Sequence, residues 1–289
     1  MSSPIVRKRN GRIRTNKINS SDYFLMGTML TLLLLTLWGF AVIDTKGVDM
    51  GEAAGQTLKY VGDMFGRPRA LATHFGLKAD ASGLQVLGAA VSVLLDTLAL
   101  AFLTTLIGAI AALVLGLLAA RNLTSARVSN ILKGIISLVR AVPTVLWVLI
   151  FAIGDGLGAV AAVIGMSFHT VGYLLKAYSE SFEELDKGVI EALRAAGAGW
   201  LSIVFQAVLP SSVTYLLSWT FIRFEINFAV AVAMGAAAGA GGIGFNLFMA
   251  AGYFFDIREI GYITILILIV ALLMELLATR LKKKYHIHE

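Results

Sequence analysis

Residues 97–120, TLALAFLTTLIGAIAALVLGLLAA, form an uninterrupted apolar run without a charged side chain. About 20 such residues are enough for a helix to cross the hydrocarbon layer of a membrane. In lipid the backbone must satisfy its own hydrogen bonds, so only helices and closed barrels can span it. A barrel strand would alternate apolar and polar residues. This run does not alternate, and it therefore predicts a transmembrane α-helix.

Further apolar segments occur on both sides of this run. The six predicted spans are residues 24–43, 97–120, 131–154, 156–175, 210–234 and 260–278. The third span must begin near Ile131 to be long enough, and it then includes Lys133 and Arg140. We therefore predict an all-α membrane protein with six transmembrane helices.

The composition agrees with this class and excludes others. Hydrophobic residues make up 58% of the 289 residues and charged residues 15%, against about 25% charged residues in a soluble domain. The absence of cysteine excludes disulfides, thiolate metal sites and cysteine nucleophiles. Two of the four histidines, His286 and His288, lie in the C-terminal tail, so we expect no metal site. The first apolar run is long and lacks a small-residue cleavage site, which favours a retained anchor over a cleaved signal peptide.

The distribution of lysine and arginine predicts the orientation. Basic residues are concentrated in the arm at 1–22, in the link after the second span and in the tail at 281–289. Such segments remain cytoplasmic, so both termini are expected there. The link at 44–90 balances five basic against five acidic residues and fits the outer side. The net charge of +6 is explained by these membrane flanks, so we expect contact with anionic lipid and no nucleic acid.

This pattern divides the chain into four segments. They are the basic cytoplasmic arm at 1–22, the first helix with its extracytoplasmic link at 23–90, a transmembrane core at 91–280 and the basic tail at 281–289. The core contains a cytoplasmic loop at 181–210, which is long for a link between neighbouring helices.

This loop predicts two short helices. Residues 181–184, SFEE, have the form of a capping box. Residues 189–196 favour helix, the glycines in 197–199 interrupt it, and a second helix over 200–209 is expected to end at Pro210. The apolar side chains of Trp200, Ile203 and Phe205 would suit a partner protein. An interfacial helix without a partner explains the pattern equally well.

The sequence of the loop resembles the EAA loop of ABC-transporter permeases. The matching residues are Glu191-Ala192-Leu193, then Gly197-Ala198, then Val208-Leu209-Pro210, although Leu193 replaces the second alanine. In that family the loop docks into a cleft on the ATP-hydrolysing subunit. The resemblance therefore implies an ATPase-coupling role for these residues: Glu191, Ala192, Arg194, Gly197, Ala198, Leu209 and Pro210.

Further blocks within 90–280 resemble the phosphonate-type permeases of this family. They are LAARN at 118–122, RAVPT at 140–144, HTVG at 169–172, RFEIN at 223–227 and GAGGIG at 239–244. One departure is that Phe228-Ala229-Val230 follows Asn227, where relatives usually carry a basic and a small polar residue. The exact substrate is therefore open among phosphonate, phosphite, hypophosphite and phosphate.

The resemblance implies the type I ABC importer permease fold (MetI-like) in the bacterial cytoplasmic (inner) membrane. The implied partners are a dimer of ATP-binding subunits, an extracytoplasmic substrate-binding protein and a second permease copy. The chain has no phosphate-binding G-x-x-x-x-G-K-[ST] motif. ATP and magnesium are therefore expected on the partner, with no cofactor, metal or catalytic residue in this chain.

The glycines at 239–244 match the pattern G-x-G-x-x-G. Nucleotide binding would require a preceding strand in a soluble βαβ unit, whereas these glycines follow a predicted span. A bend and tight helix contact are the favoured interpretation. The resemblance places Gly239, Gly241, Gly242 and Gly244 near an outer gate.

Charged and polar residues within the spans are candidates for a translocation pathway, because a charge in lipid must be paired or face water. Arg223 and Asn227 share one helix face, whereas Glu225 points elsewhere. The alternative is a structural ion pair, for instance between Glu225 and Arg140. Arg140 could instead reach the cytoplasmic headgroups. His169 could line the path or be satisfied by a neighbouring helix.

These features favour the permease subunit of an ATP-driven importer that works by alternating access. An importer for another small solute remains open. A self-sufficient secondary transporter would need coupling-ion residues at the bilayer midplane and often paired repeats. Arg223 and Glu225 give that alternative little support, and no repeat is visible.

Overall fold

The computed structural model describes residues 5–7, 13–15, 20–42, 47 and 49–284. Its contacts divide the chain into two compact units, Met1–Thr57 and Leu58–Glu289. Each unit is described by itself.

The first unit contains the first predicted span. Strands β1 (Ile5–Arg7) and β2 (Ile13–Thr15) form an antiparallel hairpin, so the all-α class applies to the described residues from Ser20 onward. Helix α1 (Ser20–Val42) has no buried side chain. Its 23 residues are long and apolar enough to cross a membrane, as predicted. Helix α2 (Met50–Gly66) begins in this unit, within the predicted link, and its residues from Leu58 onward belong to the second unit. At its start Asp49 Oδ1 accepts the N–H of Gly51 at 2.7 Å.

The regular secondary structure described in the second unit consists of helices and helical turns. Its helices are α3 (Gly83–Ala119), α4 (Ala126–Ala141), α5 (Thr144–Asp155), α6 (Ala159–Glu183), α7 (Lys187–Ala195), α8 (Trp200–Ile203), α9 (Leu209–Ala237), α10 (Gly242–Met249) and α11 (Ile257–Lys284). A 3₁₀ turn at Ala72–Phe75 precedes α3, and π-helical turns at Val204–Val208 and Ala250–Phe254 follow α8 and α10.

In the part of the chain described, five helical segments are long and apolar enough to cross a membrane. The number reaches the predicted six when the bent pair of α4 and α5 is taken as one span. The second span begins earlier than the predicted residue 97. Ser82 caps α3 through a reciprocal capping box with Gln85, whose Oε1 accepts the Ser82 N–H at 2.8 Å.

The third span is broken, so the prediction of one helix over 131–154 was wrong. Helices α4 and α5 meet at an angle of 88°. Val142 between them is extended, with φ −83° and ψ 123°, because a residue before proline avoids the helical region. Pro143 also lacks the N–H that a continuous helix would need.

The prediction that Pro210 ends the preceding helix was wrong. The helical segment from Trp200 to Ala237 is continuous, and Pro210 lies in the first turn of α9. The π-helical turn at Val204–Val208 directly precedes it. A π-turn changes the hydrogen-bond register, so the missing N–H and the bulk of the proline ring are accommodated there.

A short apolar helix, α10, was not anticipated by the sequence analysis. It packs against α9 and α3 and leads through the Ala250–Phe254 turn toward α11. Gly242 to Phe254 is apolar but shorter than a span. A run of 10–14 apolar residues is typical of buried or re-entrant helices.

The core of the second unit is built from α3, α6 and α9, and glycine permits their close approach. A Cβ on Gly108 of α3 would lie 2.3 Å from Thr170 Cγ2 of α6. A Cβ on Gly165 of α6 would lie 2.5 Å from the backbone N and Cα of Val148 in α5. Small residues in such positions allow membrane helices to pack tightly.

Replacing Gly165 with valine should destabilise the chain. Its Cβ would meet the Val148 backbone, which cannot move without displacing α5, and overpacking of this kind costs about 1–3 kcal/mol. We expect a lower thermal unfolding midpoint in detergent. Gly134→Ala is the control, because a Cβ at Gly134 has no neighbour within 4 Å. Equal midpoints for Gly165→Val and the wild type would contradict this packing.

Candidate functional site

A layer of polar side chains divides the core of the second unit. One apolar cluster contains Ala101, Met166 and Phe228, and the other contains Ala112 and Leu174. Between them on the same three helices lie the residues that we call the polar cluster: Thr105 of α3, His169, Thr170 and Tyr173 of α6, and Arg223 and Asn227 of α9.

Arg223 is the charged centre of the polar cluster. Arg223 is only 2% exposed to solvent. Nε and Nη2 each donate to Thr170 Oγ1 at 3.2 Å, and Nη2 also donates to His169 Nδ1 at 3.0 Å. Because a guanidinium has no acceptor, His169 Nδ1 must be unprotonated in this contact. The guanidinium carbon also lies 5.2 Å from the centre of the Tyr173 ring, within range of a cation–π interaction.

Asn227 joins all three helices of the cluster. Its Nδ2 group donates to Thr105 Oγ1 at 2.8 Å and to Thr170 Oγ1 at 3.1 Å. The two threonine hydroxyls donate in turn to the carbonyls of Ala101 and Met166, one helical turn earlier. Asn227 and Thr170 are fully buried, so these hydrogen bonds compensate for the loss of water.

This arrangement holds one positive charge among neutral partners inside an apolar protein. The bonds to Thr170 and His169 use Nε and Nη2, which leaves the N–H groups of Nη1 outside that network. A planar guanidinium matches two oxygens of a carboxylate or phosphate. The geometry therefore suits a transient contact with an anion.

The predicted pathway residues fall into two groups. Arg223 and Asn227 lie on one face of α9, as their helical spacing had predicted, and His169 of α6 contacts Arg223 in the polar cluster. Glu225 is only partly buried and has an interaction of its own. The sequence analysis missed Thr105 and Thr170, because a threonine in an apolar span can also bond its own helix and gives no signal of a partner.

Arg140 lies apart from the polar cluster, in the last turn of α4. Its stem crosses Gly172 of α6, where a Cβ would lie 2.8 Å from Arg140 Cγ. Arg140 also lines a cavity together with Lys133 and Lys176. Arg140 is therefore a candidate for a different site, between α4 and α6.

The predicted coupling loop is held by the turn between α3 and α4. Arg194 Nη2 donates to Asn122 O at 2.7 Å, and Trp200 Nε1 donates to Leu123 O at 3.1 Å. Asn122 Nδ2 donates to Phe182 O at 2.7 Å at the end of α6. The loop is thus connected by hydrogen bonds to α3, α4 and α6.

The same turn is also fixed by Glu183. Its Oε1 accepts the backbone N–H of Arg121 and the Nζ of Lys133, both at 2.7 Å. The turn that contacts Arg194 and Trp200 is therefore also fixed to α4 and to the end of α6.

Several details of the predicted loop need correction. Ser181 is not a helix cap, because it lies within α6 and its Oγ donates to Ala177 O at 2.9 Å. The cap of α7 is Asp186, whose Oδ1 accepts the N–H of Gly188 at 2.8 Å. Ile203 is buried, whereas Phe205 is exposed as predicted. The predicted capping box at 181–184 was therefore wrong, and the cap lies five residues after Ser181.

The predicted turn between the two helices is present. Gly197 has φ +82° and ends α7 in the left-handed region that glycine tolerates. Ile190 is buried beneath α7, whereas Glu191 and Ala192 are exposed. Ala198 and Leu209 are partly buried and Pro210 is exposed. The helix thus presents the glutamate of the EAA pattern outward.

The glycines at 239–244 form a tight turn and a helix contact. Gly239, Gly241 and Gly242 have φ values of +60°, +78° and +70°. A Cβ on Gly244 would lie 1.8 Å from Val232 O, so glycine is required where α10 crosses α9. The structure brings this turn against α3, where Thr97 Oγ1 accepts the N–H of Ile243 at 2.9 Å. Their role as a gate remains a prediction.

The fold is similar to that of ABC-transporter permeases of known structure. A permease chain of an inward-facing MetNI methionine ABC transporter matches with a TM-score of 0.61 and 22% identity, over 66% of this chain and 94% of that chain. A chain of a bacterial ABC transporter that imports alginate matches with a TM-score of 0.59 and 15% identity, over 91% and 98% of the two chains. At these identities the similarity shows the fold alone.

Sequence relatives include permeases named for phosphorus anions. The phosphite transport system permease protein PtxC of Stutzerimonas stutzeri is 33% identical over 193 residues, which are 66% of this chain and 70% of PtxC. The phosphate-import permease protein PhnE of Mycolicibacterium smegmatis is 34% identical over 65% of this chain, although the match spans only 35% of that relative. A probable D-methionine transport system permease protein MetI of Pasteurella multocida is 27% identical over 66% of this chain and 93% of MetI.

A family model described as "Binding-protein-dependent transport system inner membrane component" matches residues 112–285. This range is more than half of the chain and contains α6, the coupling loop, α9 and α10. It confirms the resemblance on which the sequence analysis relied. The chain therefore belongs to the family of binding-protein-dependent transport system inner membrane components and has the type I ABC permease fold.

Proposed function

We propose that this chain is the membrane-spanning subunit of an ATP-driven importer of phosphonate or a related phosphorus oxyanion, such as phosphite, hypophosphite or phosphate. Transport would proceed by alternating access, with each state opening the path to one side of the membrane. The relatives named for phosphite and phosphate transport support this substrate class.

The observation that carries the proposal is the buried guanidinium of Arg223. A charge within a span costs a few kcal/mol unless it is paired or used. Arg223 is held by neutral groups of Thr170 and His169, so its charge remains available to an anion. These hydrogen bonds orient the guanidinium before the substrate arrives. A single cation also favours release, because a tighter site would retain the anion.

The proposed partners would bind at the cytoplasmic and outer faces of the chain. The exposed face of α7 would dock into a dimer of ATP-binding subunits that hold ATP and magnesium. An extracytoplasmic binding protein would deliver the anion to the outer mouth near the glycine turn. A second copy of the chain would complete the path, since the six spans of one copy are few to enclose it.

The proposal is tested by reconstitution into proteoliposomes with the ATP-binding subunit and the binding protein. We expect uptake of methylphosphonate or phosphite that requires ATP inside and the binding protein outside. Uphill uptake by the chain alone would instead indicate a secondary transporter.

A second candidate substrate is methionine, because the match to the D-methionine permease covers nearly all of that relative. Methionine uptake in the same vesicles, without uptake of any phosphorus anion, would identify methionine as the substrate. Arg223 argues against it, since a zwitterion does not require a net positive site.

A further inference from the structure

A second basic site lies on α6, toward the predicted cytoplasmic side from the polar cluster. It is a cavity of about 180 Å³ between α4 and α6, which we call the inner cavity. Its lining includes Lys133, Ser137 and Arg140 from α4, and Lys176, Ser179 and Glu180 from α6.

The charge of the inner cavity is positive. Three cations line it, and Glu180 is the acidic residue of the lining. The pair between Lys176 Nζ and Glu180 Oε1 is long, at 3.7 Å, and both side chains are more than half exposed, so water weakens it. Lys133 is paired with Glu183 at 2.7 Å. Glu183 is not part of the lining, but even with its charge included the site has three cations and two carboxylates, a net positive charge.

Arg140 is held in place at the cavity. Its stem packs across Gly172, and any larger residue at that position would displace it. Ser137 and Ser179 donate their hydroxyl protons to backbone carbonyls of their own helices. The lysine and arginine side chains are therefore the remaining donors of the lining, and their charges favour an anion with several oxygens.

The inner cavity and the polar cluster lie on one helix. Thr170 touches Arg223 in the cluster, and Lys176 lines the cavity six residues later. At about 1.5 Å per residue the two positions are roughly 9 Å apart. The two sites are thus close along α6 but face different neighbouring helices, α9 at Thr170 and α4 at Lys176.

We propose that the inner cavity binds a phosphate-type oxyanion through Arg140 and Lys176. As a free anion, this ligand would be the transported substrate or the product formed from it in the cytoplasm. This identification rests on the proposed function. The phosphate of an anionic lipid headgroup has the same chemistry, and the experiment separates these two sources.

The test measures binding of radioactive inorganic phosphate to the purified full chain in phosphatidylcholine nanodiscs. We expect saturable binding that weakens by about tenfold or more when Arg140→Gln and Lys176→Gln are combined, since each removes a charged donor. Arg127→Gln is the matched control, because Arg127 is exposed in the first turn of α4 and outside the cavity lining. Gly172→Ala should also weaken binding, because it displaces the Arg140 stem without removing a charge.

A second arm uses nanodiscs that contain phosphatidylglycerol. Retention of this lipid by the wild type but not by the double variant, without binding of free phosphate, would support the site and assign the lipid as its source. The proposal is overturned if neither ligand binds, or if the double variant binds both as the wild type does. Neither arm requires uptake, so a failure of the proposed transport function would be seen separately in proteoliposomes.

Discussion

Replacing Glu191 with arginine should abolish ATP-driven uptake while the chain remains inserted and folded. Glu191 is exposed on α7, whereas Ile190 beneath it is buried. The side chain therefore contributes little to the fold and is available to the proposed ATP-binding partner. Docking would bury this carboxylate against a group of the partner, and loss of one member of such an interface charge pair costs about 2–5 kcal/mol, which corresponds to a reduction in affinity of roughly 30-fold or more.

The measurement combines uptake in proteoliposomes with co-purification of the ATP-binding subunit. Both should be lost in Glu191→Arg, whereas the thermal unfolding midpoint of the isolated chain should remain that of the wild type. Glu184→Arg makes the same charge change at the end of α6, outside α7, and should have a smaller effect. Normal uptake by Glu191→Arg would contradict the docking role of α7.

Replacing Arg223 with methionine should reduce uptake by about 10- to 100-fold, because hydrogen bonds to a charged group contribute about 1.5–3 kcal/mol each. The methionine side chain keeps much of the volume and removes the charge. We expect a loss of stability of about 1–3 kcal/mol, because His169 Nδ1 is left without its donor. Arg223→Lys keeps the charge but not the planar fork and should retain part of the activity.

The control for this series is Arg127→Met, which removes an exposed arginine outside the polar cluster. Its uptake should equal that of the wild type. If Arg223→Met transports normally, Arg223 is only a structural group. If it fails to fold, Arg223→Lys decides the question, since a folded but impaired lysine variant would still indicate a role in transport.

The sequence predicted most of the membrane architecture, because an unsatisfied backbone hydrogen bond is costly in lipid and only helices and closed barrels avoid it. The run at 97–120 and the Glu191-Ala192 pattern were sufficient for the fold class and the family, and the family model confirms both. Helix boundaries were less certain. The break at Pro143 and the continuation through Pro210 show that proline has opposite consequences at two places in the same chain.

The difference between the two prolines depends on the neighbouring turns. Val142 is free to become extended, and the chain bends by 88°. Before Pro210 a π-helical turn accommodates the ring. Sequence patterns describe the residue itself but not whether the packing around it favours a bend or a widened turn.

By itself, the sequence determined the membrane class, the apolar spans, the coupling motif and the shared face of Arg223 and Asn227, because each depends on local composition or on spacing along one helix. Only the tertiary structure decided that Thr105 and Thr170 complete the polar cluster and that Arg140 and Lys176 line a common cavity. These residues are far apart in the chain. Their meeting is decided by how closely α3, α4, α6 and α9 can pack, and glycines such as Gly108 and Gly172 set that distance.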